Sequence, residues 1–136
     1  MFVVNNEMVK LADQLNGKSF EWGVTDCICI ALIAMSKITG NEKHWRVIDW
    51  HDKKSALETF EVVKPESYLF HNGFIKIGIR DIAPGDILVG VVDEMPTAQV
   101  VVGRMLLSSH PSRGVFCQRF DYERLEALQL TAWRFK

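Results

Sequence analysis

The sequence predicts an α+β domain, helices in its first half and an antiparallel meander of strands in its second. Three observations predict it. Nine consecutive residues, Cys27 to Met35, are apolar and sit in a helical context between Thr25 and Gly40. Segments on either side carry apolar residues at helical spacing. From Phe74 onward the pattern changes to short apolar or alternating runs separated by Pro- and Gly-containing turns, and helices followed by strands are the signature of this class.

The apolar run organises the rest. A period of 3.6 puts Cys27, Ala31, Ala34 and Ile38 on one face, Ile28, Leu32 and Met35 on a second, and Ile30, Ile33 and Lys37 on a third. A helix apolar on every side is enclosed by protein or lipid, and nine residues fall far short of the ~20 needed to cross a bilayer. It is therefore read as a core helix. Thr25 or Asp26 can cap its first amides, and Gly40 suits the left-handed position after its last turn.

The other elements follow in order. Asn5 or Asn6 caps a first helix with Met8, Leu11, Ala12 and Leu15 as its apolar stripe, ending at Gly17. Lys18 to Val24 is a connector containing Phe20 and Trp22. After Gly40, the segment NEKHWRVIDW lacks periodicity and reads as a loop or short helical turn. Asp52 caps a third helix with Ala56, Leu57 and Phe60 inward, and Pro65 stops it. Strands are expected at Phe74–Ile79, Ile87–Val92, Gln99–Leu107 and Val115–Phe120, with turns at Ala83–Asp86, Met95–Ala98 and Pro111–Gly114. A helical turn over DYERLEAL and a last strand around TAWRF close the chain.

Composition bounds the function. The 136 residues suit one domain, 1–136, with 48% hydrophobic and 24% charged residues and a net charge of −1. No long run of one sign suggests nucleic-acid or membrane-surface binding. The first ten residues lack the basic stretch and apolar run of a signal peptide. The three cysteines, Cys27, Cys29 and Cys117, are an odd number, which argues against a disulfide framework. Cys27 and Cys29, two apart on a helix, point to nearly opposite sides, so a zinc site is not expected. No metal or cofactor is expected.

Cys27 sits where chemistry is possible. Helix N-termini favour negative charge, which lowers the pKa of a thiol in the first turn. Gly23 permits a tight turn that presents that first turn at a surface. Free cysteine is also among the most buried residue types, so nucleophile and core filler both stay open. A nucleophilic cysteine needs a base, normally a His held by a third polar group. His44 and His51 lie in the aromatic connector, where a solvated role is expected, and His71 in a loop tip. His110, at the end of an expected strand long enough to lie against the central helix, is the candidate partner for Cys27.

The motif Trp22-Gly23-x-x-Asp26-Cys27, followed by Ala83-Pro84-Gly85-Asp86-Ile87 at the start of a strand, resembles the NlpC-type papain-like cysteine peptidases. More closely, the chain is similar to a small relative of that family from phage tail gene clusters. That relative shares the W-G-x-x-D-C opening, the A-x-G-D strand start and an A-W-R ending, here Ala132-Trp133-Arg134. The resemblance spans roughly residues 18 to 135. It implies a papain-like fold, with N-terminal helices and a buried central helix packed on a C-terminal antiparallel sheet or half-barrel, and Cys27 in the nucleophile position. In the peptidases the base is a His beginning the second sheet strand. The matching run here, Thr97 to Gly103, contains no His, and neither Thr97 nor Gln99 accepts a proton usefully near neutral pH. The third polar residue of the peptidases falls close to Ser109 and His110. The Ser-Gly that usually follows the peptidase cysteine is replaced by Ile28 and Cys29.

The resemblance thus implies a structural or assembly component of a bacteriophage tail, in the virion tail after synthesis in the host cytoplasm, with other tail proteins as partners. Trp45, Trp50 and Tyr68 can supply such an interface or pack in the core. The alternative is an active cysteine peptidase or amidase cutting peptidoglycan stem peptides, with Cys27 as nucleophile and His110 as an unconventional base. No nucleic acid and no membrane span are expected.

Overall fold

The computed structural model describes residues 2–136, and side chains from residue 4 onward; Met1, the first residue of the expected domain, lies outside the described residues. The fold is α+β, with six α-helices and a six-stranded antiparallel sheet. The helices are α1 (Phe2–Leu15), α2 (Cys27–Thr39), the single turn α3 (Lys43–Arg46), α4 (Lys53–Val62), α5 (Pro65–His71) and α6 (Tyr122–Ala127). The strands are β1 (Phe74–Ile77), β2 (Ile87–Val92), β3 (Met95–Val102), β4 (Met105–His110), β5 (Gly114–Arg119) and β6 (Thr131–Phe135). They lie in the order β1-β6-β2-β3-β4-β5.

Helix α2 packs on one face of this sheet. Seven of its residues, Ile28 to Leu32 with Ala34 and Met35, are buried. Alternation along the strands sends Ile87 and Val89 of β2, Ala98 and Val100 of β3, and Leu107 of β4 into the same cluster as α2. The intervening residues Leu88, Val101, Leu106 and Ala132 face the other way, where Leu125 of α6 and Leu130 cover them. The sheet is therefore buried on both faces, which is why its strands read as nearly continuous apolar runs. Helix α2 begins at the Asp26 cap and ends at Gly40, whose φ of 73° is the left-handed conformation expected there.

Five expectations are corrected. Helix α1 starts before Asn5, which caps the tight turn after β3 instead: its Oδ1 accepts from the Gly103 amide at 3.1 Å. Pro65 stops α4 but occupies the first turn of a new helix, α5, where its missing N–H costs nothing, so His71 ends a helix instead of sitting in a loop tip. The expected strand Gln99–Leu107 is two strands: β3 starts at Met95 and turns at Gly103-Arg104 into β4. The turn expected at Met95–Ala98 lies at Asp93-Glu94 instead, both with positive φ, so Pro96 is a strand residue opposite Val91. The first strand also ends early, at Ile77, before a 3-10 turn at Ile79–Asp81.

Candidate functional site

The head of α2 is built around one buried carboxylate. Asp26 is 2% exposed. Its Oδ1 accepts the Cys29 amide at 2.9 Å, capping the helix. Its Oδ2 accepts the Gly23 amide at 2.7 Å, the Trp50 indole N–H at 2.7 Å and the Cys29 thiol at 3.2 Å. Charge-assisted hydrogen bonds of this kind, with the positive end of the helix dipole, compensate the burial of an anion. Gly23 has a φ of +79°, and a Cβ there would collide with the Trp50 carbonyl oxygen, so glycine is required twice over. Thr25 completes the loop: its Oγ accepts the Glu21 amide at 2.8 Å and donates to the Ser19 carbonyl at 2.7 Å. The W-G-x-x-D segment is thus a latch that fixes where α2 begins.

Cys27, the next residue, is partly buried and faces the start of β3. Its sulfur accepts the Ala98 amide at 3.4 Å, and its thiol approaches the Pro96 carbonyl at 4.0 Å. Burial pushes this thiol up to about 11; the Ala98 N–H pulls it down by less, and the Asp26 carboxylate pushes it further up. The expected lowering by the helix N-terminus is therefore overturned. Desolvation and an adjacent carboxylate outweigh the Ala98 amide and the amides of Cys27 and Ile28 at the helix start. Cys29 is raised further by the same two causes, and burial also raises Cys117.

No imidazole is among the hydrogen-bond partners of Cys27 in the described residues. His110 ends β4, exposed, with Nδ1 2.7 Å from the Ser112 hydroxyl and accepting the Ser112 amide at 3.1 Å. Strand alternation places it with Leu106, on the sheet face away from α2. The structure does not bring His110 to Cys27. His44, expected to be solvated, is 1% exposed, with Nδ1 2.7 Å from the Tyr68 hydroxyl, and burial lowers its pKa. His51 is exposed and lies 3.6 Å from the Asp52 carboxylate. His71 Nδ1 is 2.7 Å from the Ser67 carbonyl. Of the three candidate interface aromatics, Trp45 is 46% exposed, Trp50 is 4% exposed and hydrogen-bonded to Asp26, and Tyr68 is half-buried. Trp50 is a core residue. Among the described residues no group of three His, Cys, Asp or Glu is placed to hold a metal, and no helix is long and apolar enough to cross a membrane.

The other two motifs meet each other. Asp86, 2% exposed, accepts the Ala83 amide at 2.7 Å, closing the turn before β2. It also receives both prongs of Arg134, Nε at 3.0 Å and Nη2 at 2.8 Å. Arg134 Nη2 reaches on to the Asp81 carbonyl at 2.9 Å. The antiparallel register Ile87↔Trp133 sets the two side chains side by side. A-P-G-D and A-W-R are thus two halves of one clasp, a planar fork on a carboxylate.

Beside α2 is a cavity of about 250 Å³. Ile28, Leu32 and Met35 of α2 form one wall, Trp50 and Phe60 a second, and Ile87, Val89 and Ala98 of the sheet a third. Where the walls do not meet, their side chains forgo dispersion contacts with one another.

The family model described as Domain of unknown function (DUF6950) matches residues 4–128. The chain belongs to the DUF6950 family. No curated protein and no solved structure matches it. The matched span takes in the Asp26 latch, Cys27, the cavity and Asp86, and ends before Arg134.

Sequence reasoning about this DUF6950 chain missed Trp50 as the partner of Asp26 and Tyr68 as the partner of His44. The first had a signal: a capping carboxylate has spare lone pairs, and a buried indole needs an acceptor. The pairing spans 24 residues, and no local pattern reports it. The cavity had no signal, since it depends on how α4 and α5 sit over α2.

Proposed function

We propose that this DUF6950 chain is a structural or assembly component of a bacteriophage tail, resident in the virion and built on a catalytically degenerate papain-like, NlpC-like scaffold. Other tail proteins are its partners. The observation that carries the degenerate reading is the environment of Cys27, which faces the Pro96–Ala98 backbone, has no imidazole partner and holds its proton to about pH 11. A thiol without a base forfeits several powers of ten in rate. The buried helix headed by Asp26-Cys27 and packed on an antiparallel sheet supports the papain-like reading. The tail role rests on the resemblance of the three motifs, all of which are structural here: the first forms the Asp26 latch, and the other two form the Asp86–Arg134 clasp. Exposed Trp45 and Val24, on the groove beside Ile33 and Ile48, offer apolar area for a partner.

The test is genetic and chemical together. Removing the chain from a phage that encodes it abolishes infectious tails, and Cys27→Ala restores them to wild-type titre. Release of stem peptides from purified muropeptides by the wild type and not by Cys27→Ala would overturn this reading in favour of a peptidase or amidase.

A further inference from the structure

The cavity beside α2 is walled by side chains that leave nothing for a polar guest. Three polar groups reach its walls, and each is already partnered inside the protein. The Trp50 indole N–H donates to Asp26 at 2.7 Å, the Tyr68 hydroxyl lies 2.7 Å from His44, and the Thr59 hydroxyl donates to the Ser55 carbonyl at 3.0 Å. No Asp, Glu, Lys, Arg or His lines the space. Water there would find few polar partners, whereas an apolar guest would meet carbon on nearly every side.

Size narrows the guest. An apolar cavity of about 150 Å³ accepts benzene, so one of 250 Å³ accommodates about ten heavy atoms. Access is on the side of Val47 and Val63, which line the cavity and are exposed, whereas Ile28, Leu32, Trp50 and Phe60 lie buried within. Native cores are close-packed, with few voids larger than a water molecule. This space lies between a capped helix and a paired sheet, with α4 and α5 over it.

We propose that this cavity is a binding site for an uncharged hydrocarbon moiety of about ten heavy atoms, an alkyl chain or alkyl-substituted ring, that enters between Val47 and Val63. Cys27 does not line the site, although its neighbours Ile28 and Ala98 do, and the inference does not rest on any catalytic or tail role. Filling it restores the missing contacts and stabilises the fold.

The test uses n-butylbenzene and 1-octanol as probes, with glycerol as the polar control, on the full chain. Methyl NMR shifts of Ile28, Leu32 and Val89 are expected to saturate with either probe. At about ten times Kd the unfolding midpoint is expected to rise by about 5 °C. Ala31→Leu projects extra carbons into the same space, and should raise the midpoint without probe and weaken binding at least tenfold. If that variant fails to fold, Leu32→Phe carries the same expectation. The proposal is overturned if neither probe gives saturable shifts. It is equally overturned if shifts centre on remote methyls such as Val91, or if a folded filling variant binds as tightly as the wild type. Binding of a partner's apolar side chain in place of both probes also overturns it.

Discussion

Thiol reactivity across pH is the most direct measurement of the α2 head. A thiol at about 11 is about 0.01% ionised at neutral pH, against about 1% for one at the ordinary value of 9.0. The hundredfold deficit is partly offset because a more basic thiolate attacks a disulfide faster, by about eightfold for two units. Ionisation alone therefore slows Cys27 about tenfold, and partial burial slows it further. The assay is reaction with a small aromatic disulfide, with the modified peptides identified by mass spectrometry at intervals from about pH 6 to pH 10.5. The rate at Cys27 should climb about tenfold per pH unit over that whole range, without a plateau. In urea all three cysteines should converge on the rate of an exposed thiol. A plateau at Cys27 beginning at or below about pH 8 would refute the reasoning, because it requires a partner that stabilises the thiolate.

Three other outcomes follow from the same geometry. Cys27 and Cys29 keep their protons in the folded chain at pH values where the unfolded chain has released them, so unfolded binds fewer protons and stability falls as pH rises above about 9. The slope is up to about 1.4 kcal/mol per pH unit for each thiol, and Cys27→Ser should flatten the alkaline limb of urea-derived stability by one such increment; an unchanged limb refutes it. Asp26→Ala strands the amides of Gly23 and Cys29 and the Trp50 indole N–H, and should cost about 3–5 kcal/mol in urea denaturation, whereas Trp50→Phe should cost about 1–3. A loss under about 1 kcal/mol for Asp26→Ala would show that the latch carries no weight. Arg134→Lys keeps the charge but loses the fork on Asp86, for about 1–2 kcal/mol. Arg134→Ala should cost about 2–3, short of a fully buried pair because the Arg134 side chain is 38% exposed. Equal stability of the two variants refutes the bidentate reading.

Elements with a local chemical marker were legible in the sequence. Helix α2 announces itself through the apolar run Cys27–Met35, with a cap at Asp26 before it and Gly40 after its last turn, and both ends lie where those residues put them. Asp52 caps α4 as read, through a reciprocal box with Ser55. Elements whose markers act at a distance were not. Asn5 looked like a helix cap because Asn favours that role, yet its partner is Gly103, 98 positions away. The β3–β4 turn was hidden because Gly103-Arg104 lacks the usual Asn-Gly or Asp-Gly pair and the flanking strands are equally apolar, leaving nothing polar to mark the break. In the sequence Pro65 marks only a stop, although the same ring is well suited to start a helix. At the candidate site, the position of Cys27 and the lack of a His in the run from Thr97 were legible. The sign of its pKa shift was not, because desolvation depends on what packs over the sulfur.

Strand β6 is the last in sequence but lies inside the sheet, hydrogen-bonded to β1 on one side and β2 on the other. During synthesis β1 and β2 therefore wait, with open ladders of amides and carbonyls, until residues 131–135 have left the ribosome. A nascent chain arrested before that point exposes two sticky edges at once, which are natural targets for chaperones or proteases. Pairing of β6 with β2 also brings Arg134 to Asp86, so completion of the sheet and locking of the turn before β2 are geometrically one step.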